Sequence, residues 1–239
     1  DLFIGLEAIN ALAGIILRKL GKVEIVVYYV SDYSPNRFSK FGKKLFNTLY
    51  LWLDRFCVLH ADFTWDVSSA MQEGRLKNGL NSEKKYRVIH VHNGLFPSQI
   101  RSLPISKRTP NSLVYLGTLE PDFGVELAIK ALKEVKRKNP KSMLWIIGGG
   151  KELLILKRLV QKLKLEKSVI FYGFVEDNNE VARIVRTSYI SLAPYRAFPE
   201  SLRWYGDAGK IRQYLAAGLP VVTTQVPPLG RHIVEKGAG

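Results

Sequence analysis

The spacing of apolar residues changes repeatedly along this chain. After residue 112 the alternation is regular. Short apolar runs at 113–118, 143–148, 169–174, 189–194 and 221–224 predict strands. Between and after them, apolar residues recur at helical spacing over 124–138, 151–164, 178–187, 208–217 and 228–236. Nearly continuous apolar strands alternating with amphipathic helices predict a parallel sheet covered on both faces. Before residue 96 the rhythm is the same but rougher. Residues 2–20 read as a helix ending in Arg18, Lys19 and Gly21, and Val23 to Val30 reads as a strand. A helix over 39–60, a strand from Phe63 to Val67, a helix from Ser69 to Asn78 and a strand from Tyr86 to Val91 follow, closing in Asn93-Gly94. Pro97 to Ser112 holds Pro97, Pro104 and Pro110 without clear periodicity and reads as a linker. The expectation is an α/β chain with a first domain over 1–96, a linker over 97–111 and a second domain over 112–239.

Composition narrows the chemistry. The 239 residues are 46% hydrophobic, ample for packed cores in one large domain or two modest ones. The net charge of +15 is spread along the chain and is heavier in its second part. It permits polyanions, anionic membranes and nucleotide phosphates as partners. Much of it is a solvated helix face, such as Lys130, Lys133, Lys136, Arg137, Lys138 and Lys141. No nucleic-acid-binding motif is present, and no nucleic-acid partner is expected. Cys57 is the only cysteine, so no intrachain disulfide forms. That fits a reducing compartment or indifference to redox conditions. His90 and His92 would share one face of a strand, but no cysteine or carboxylate stands at ligand spacing beside them, and no metal site is expected. The opening segment has no basic leader, is interrupted by Glu7 and Asn10, and is short for a membrane span. A cytoplasmic location is expected. The absence of a starting Met, and an end at Gly237-Ala-Gly239 just after a helical pattern, read as a piece of a longer protein.

Residues 37–56 interleave cations with aromatics: Arg37, Lys40, Lys43, Lys44 and Arg55 among Phe38, Phe41, Phe46, Tyr50, Trp52 and Phe56. Such a segment can lie peripherally on an anionic membrane surface, here the inner face, or pack into a core as a helix with a basic entry.

The most informative stretch is Gly206-Asp-Ala-Gly-Lys-Ile-Arg-Gln-Tyr-Leu-Ala-Ala-Gly-Leu-Pro-Val-Val-Thr-Thr224, which reads as loop, helix, turn and strand. Asp207 is placed to cap the helix. Ile211, Tyr214 and Leu215 share one face, and Gly218 with Pro220 stops the helix. Lys210 is the misfit, because a cation in the first turn faces the positive end of the helix dipole. It makes sense if an anion sits there, or if Asp207 simply pairs with it. The strand from Met143 to Ile147 runs into Gly148, Gly149 and Gly150, a turn in which backbone N–H groups can approach an anion, or merely a tight connection. Gly117 and Thr118 close the preceding strand in the same way. A dinucleotide fingerprint fails because Leu153 stands where its last glycine belongs, and a Walker A loop fails at Trp204 and Ile211.

Five pieces in order are Gly117-Thr-Leu…Gly124, Trp145-Ile-Ile-Gly-Gly-Gly150, Val169-Ile-Phe-Tyr-Gly-Phe-Val175, Leu192-Ala-Pro-Tyr195 and Gln213-Tyr-Leu-Ala-Ala-Gly-Leu-Pro-Val-Val222. Together they resemble the nucleotide-sugar half of family 4 glycosyltransferases of the GT-B fold. Residues 1–96 resemble the later part of that family's acceptor-side domain more loosely. The resemblance implies two Rossmann-like domains with parallel sheets, the first lacking its opening portion and the second its last elements. It implies transfer of a sugar from a nucleoside diphosphate to a glycan or lipid-linked glycan, with retention, with cationic side chains and backbone amides in place of a metal, and with no cofactor. It assigns the diphosphate to Lys210, Gly117, Thr118, Gly148 and Gly149, and the nucleoside to Gln213, Gly173, Phe174 and Tyr195. Thr118 and Phe123 stand where the family usually has Arg and Lys, and Gln213 and Tyr205 where it has its two Glu residues. Lys210 is therefore the expected replacement for part of the cationic role, with Arg196 and Arg203 as further candidates or plain surface residues. Asp32, just past the second predicted strand, could orient an acceptor hydroxyl or act as base; equally, it could cap a turn. Alternatives are another GT-B sugar-nucleotide enzyme such as an epimerase, or a basic non-catalytic module binding membrane or nucleic acid.

Overall fold

The computed structural model describes residues 1–35, 41–81, 85–97 and 100–237, with side chains of 41–44 left aside. It is an α/β chain with two parallel sheets. The first sheet has the order β1-β2-β3-β4, formed by Leu2–Leu6, Ile25–Val30, Phe63–Asp66 and Val88–His90. Its helices are α1 (Glu7–Lys19), α2 (Phe41–His60) and α3 (Ser69–Lys77). The second sheet uses β5 (Ser112–Leu116), β6 (Met143–Ile147), β7 (Val169–Gly173), β8 (Ile190–Ala193) and β9 (Val221–Thr223), in the order β7-β6-β5-β8-β9. Helices α4 (Val125–Lys138), α5 (Leu153–Lys162), α6 (Asn178–Thr187), α7 (Gly209–Ala216) and α8 (Pro228–Glu235) alternate with these strands.

Residues 2–20, expected as one helix, divide into β1 and α1. The apolar run Leu2–Leu6 pairs in parallel register with Ile25–Tyr29. A run this short has no period that separates strand from helix. The turn between the two elements is made by Glu7 at φ 62, and Gly5 lets strand and helix approach, since a Cβ there would lie 2.5 Å from the Ala11 backbone. The segments expected at 39–60, 63–67 and 69–78 appear as α2, β3 and α3, although residues 36–40, at the start of the cation–aromatic segment, lie outside the described residues.

Compact packing groups Asp1–Asn93 with Phe198–Asp207 as one unit, and Gly94–Ala197 with Ala208–Gly239 as the other. The division differs from the expected one chiefly at 198–207, which the sequence placed in the second domain. Tyr205 explains why: its ring meets Tyr33 edge-on at 5.3 Å, and its carbonyl accepts a hydrogen bond from the Ser68 hydroxyl.

The first unit's core surrounds a buried charge cluster. Arg75, fully buried on α3, donates to both oxygens of Asp54 at 2.8 and 3.1 Å and to Asp66 at 2.6 Å. Tyr28 donates to Asp54 at 2.8 Å, and the guanidinium lies 5.2 Å from the Tyr33 ring. Burial raises the Asp66 carboxyl, an effect that Arg75 opposes. Cys57 belongs to the same core. Its thiol donates to the Ala8 carbonyl, and burial pushes its pKa up to about 12, so it is no nucleophile at neutral pH. In the second unit, Tyr115, Leu144 and Ile146 pack beneath Ile129, Leu132, Leu156 and Val160 of α4 and α5.

Candidate functional site

The strand order of the second unit marks a candidate site before any side chain is considered. The chain runs outward from β5 to β6 and β7, then returns to β8 and β9 on the other side of β5. The connections therefore diverge at β5 and β8, and in open α/β sheets ligands bind outside the carboxyl ends of the strands at such a switch point. Gly117 follows β5 there, and Pro194 and Tyr195 follow β8. Helix α7 is fixed above both by Tyr214. Its buried hydroxyl accepts the Leu116 N–H at 2.6 Å and faces the Leu192 carbonyl at 3.2 Å. Burial holds the phenol well above its ordinary pKa, so it keeps its proton as a donor.

This anchor brings the first turn of α7 over the end of β5. The Lys210 ammonium donates to the Tyr115 hydroxyl at 2.9 Å. It lies 4.1, 4.4 and 5.2 Å from the ring centres of Tyr115, Phe123 and Tyr195. Cation–π attraction of this kind holds a cation without neutralising it. Gly117, at φ 134, leaves the room the ammonium occupies: a Cβ there would come within 2.8 Å of Nζ. Gly148, at φ 133, lies against the Gly117 carbonyl so closely that a Cβ would stand 2.0 Å from the oxygen. The Leu119 N–H donates to the Gly149 carbonyl at 2.9 Å. Two glycine turns and one cation thus interlock at the carboxyl edge of β5 and β6. Such an arrangement suits an anion carrying several oxygens.

The other expected residues fall into separate places. Thr118 is exposed, and its carbonyl accepts from Tyr115 at 2.7 Å. Phe123, standing where the family usually has Lys, packs around Lys210. Tyr195 lies in the same cluster and is buried. Gly173 ends β7, and Phe174 beyond it is 79% exposed beside Gly149. Gln213 is exposed on α7 and lines a cavity of about 240 Å³ between α6 and α7, together with Leu116, Asn178, Asn179, Arg186 and Arg101.

Asp207 does not cap α7 as expected. The cap residue is Ala208, with no side-chain cap bond, while Asp207 Oδ2 accepts the Asn93 N–H at 2.9 Å. Arg196 faces Glu126 at 3.2 Å. Arg203 groups with the first unit. His92 Nδ1 meets the Val67 carbonyl at 2.8 Å. Asp32 follows β2, with its side chain exposed and its carbonyl accepting from Tyr50 at 3.1 Å. Beside it the sequence reading missed Glu7. Its carboxylate accepts the Ser31 hydroxyl at 2.7 Å and the Ser31 N–H at 3.1 Å. The signal available was a charged residue interrupting an apolar opening.

The family description "Glycosyl transferases group 1" matches residues 99–239, which include the β5–β8 switch point and α7. The chain belongs to the group 1 glycosyl transferases. It is similar to a glycogen synthase of Mycobacterium tuberculosis, at 28% identity over 130 residues, covering 54% of the chain and 30% of the relative. An uncharacterized glycosyltransferase of Methanocaldococcus jannaschii, MJ1059, is 22% identical over 229 residues, covering 92% of the chain and 53% of the relative. The chain therefore spans between about a third and a half of these curated relatives. Among solved structures, Anabaena HepE in complex with UDP superposes with a TM-score of 0.76 at 18% identity, covering 95% of this chain and 60% of that one. WaaG, a glycosyltransferase involved in lipopolysaccharide biosynthesis, gives 0.63 at 18% identity, covering 95% and 66%. These neighbours share the GT-B fold, with its parallel sheets.

Proposed function

We propose that the protein transfers a sugar from a nucleoside diphosphate donor to a glycan or lipid-linked glycan, with retention at the anomeric carbon and as a member of the family 4 branch. The observation carrying this reading is the Lys210 ammonium beside the Gly117 and Gly148 turns at the switch point. When the glycosidic bond to the donor breaks, the departing diphosphate gains negative charge. A fixed cation and backbone amides waiting at that position lower the barrier, because they need no reorganisation as the charge develops. Gln213, with its amide donor and acceptor, and Asn178 across the cavity suit ribose hydroxyls and a base edge. UDP in complex with HepE favours a uridine donor as the first one to test. In a retaining transfer the acceptor's proton passes to the leaving phosphate, so no protein base is obligatory.

A thermal-shift series with UDP, GDP and ADP and their sugar conjugates tests the donor site. A ligand at 100 times its dissociation constant stabilises by about 2.7 kcal/mol. No response to any of them would remove the donor reading. Sugar interconversion without an acceptor would point to an epimerase instead.

The acceptor side carries a second observation. Leu45, Phe46, Leu49 and Trp52 of α2 are 57–67% exposed and lie along one helical face, just after Lys43 and Lys44 in the sequence. An apolar stripe next to basic residues suits an anionic membrane surface, where a lipid-linked acceptor would be found. Among the described residues, no helix is long and apolar enough to cross a membrane. Flotation with vesicles containing anionic lipid is expected to carry the protein upward, and Trp52→Ser with Phe46→Ser to abolish this. Failure to float at low salt would end the membrane reading.

A further inference from the structure

We propose that Tyr115 is a positioning residue that holds the Lys210 ammonium in place for the donor's diphosphate, an inference that rests on the donor-site reading above. Tyr115 is fully buried, on the last turn-facing part of β5, so its ring cannot swing. Its hydroxyl donates to the Thr118 carbonyl at 2.7 Å. That bond commits the phenolic hydrogen and leaves an oxygen lone pair as the acceptor for Lys210, at 2.9 Å. The phenol therefore bridges two parts of the site, the turn after β5 and the first turn of α7.

The rings and the hydroxyl do different things. Cation–π attraction from Tyr115, Phe123 and Tyr195 favours an ammonium somewhere over their faces, with little directionality. A hydrogen bond fixes a point. It keeps Nζ beside Gly117, where the missing side chain leaves space and where the Gly148 turn abuts. A lysine has three N–H donors. One of them is directed at Tyr115, and that bond sets where the ammonium stands. A free lysine would lose rotamer entropy on meeting the phosphate, and here that ordering is already complete before the donor arrives.

The test is calorimetric titration of UDP and of uridine onto the wild-type chain, Tyr115→Phe, Lys210→Ala and the double variant. Tyr115→Phe keeps the ring and removes only the hydroxyl. It is expected to weaken UDP about tenfold, the worth of a hydrogen bond to a charged group, and to leave uridine unchanged. In the Lys210→Ala background the same substitution should cost nothing further, because its effect runs through the ammonium. Phe123→Leu, which trims a ring and keeps the hydroxyl bond, should weaken UDP less than Tyr115→Phe does. Three results would each overturn the proposal: unchanged UDP affinity in Tyr115→Phe, an equal loss for uridine, or a loss that persists without Lys210. A loss in Phe123→Leu matching that of Tyr115→Phe would assign the positioning to the rings. A wild-type chain that binds neither UDP, GDP nor ADP would instead defeat the donor-site reading itself, a result visible without any variant.

Discussion

Replacing Lys210 with alanine is expected to lower kcat/KM for sugar transfer by about 100- to 1000-fold, or ~2.7–4 kcal/mol, the range found when one preorganised donor to a developing anion is removed. Binding of the nucleoside diphosphate itself should weaken less, about tenfold, since part of the charge appears only as the bond to the sugar breaks. That separation is the informative part. A cation that merely completes an aromatic cluster would, when removed, cost stability and leave both kinetic quantities in proportion. Lys136→Ala is the matched control. Lys136 lies near the carboxyl end of α4, which the βα topology places at the opposite edge of the sheet, and its ammonium meets the Pro140 and Ser142 carbonyls. Equal effects of the two substitutions on turnover would remove Lys210 from the site. Some loss of stability is expected from Lys210→Ala, because three rings lose a cation. A melting curve beside the kinetics keeps the two effects apart.

Lys210 stands out in the sequence for a simple reason: a positive charge at the positive end of a helix needs an explanation, either an anion beyond the helix or a nearby carboxylate. Its surroundings were not legible. Tyr115 on β5, Phe123 in the turn after it and Tyr195 after β8 are separated by up to 80 positions in sequence, and the β5–β8 adjacency brings them together. Phe123 reads in the sequence as a lost cation, whereas in space it is part of what holds the remaining one. The elements after residue 112 fell within about two residues of their expected ends, because each apolar run is bounded by Gly, Pro or a change of period. The opening of the chain misled for the opposite reason. Its apolar residues continue from β1 into α1 without punctuation, and the corner is made by Glu7, a residue that ordinarily avoids positive φ. Asp207 was misread because capping is judged from local sequence alone. The structure directs its carboxylate to Asn93, more than 100 residues away.

Arg75→Met is expected to destabilise the first unit by about 3–5 kcal/mol, the cost of stranding buried carboxylates by removing their cation. The side chains of Arg75, Asp54 and Asp66 are all inaccessible to solvent, and Asp66 Oδ1 has no hydrogen-bond partner among the described residues. Water therefore cannot take over when the guanidinium is lost. The pH dependence follows from Asp66. Burial raises its carboxyl above the ordinary 3.8, and Arg75 is the main influence opposing that rise. A carboxyl raised in the folded state favours folding while it is protonated. Its contribution is fully present below the unfolded value and is lost as pH climbs through the folded one. Without Arg75 the folded value moves higher still, so the variant's deficit should be largest near neutrality and shrink as pH is lowered toward 4. Denaturant unfolding of both proteins across that range measures it. A deficit independent of pH would mean that lost packing, not charge, is the cause. A deficit below about 1 kcal/mol at pH 7 would mean that the cluster behaves as an exposed ion pair and not as a buried one. This cluster was missed in the sequence, although one signal for it was present. Asp54 interrupts the apolar stripe of α2 between Tyr50, Leu51, Cys57 and Val58, and a charge on such a face requires an opposite charge within the core.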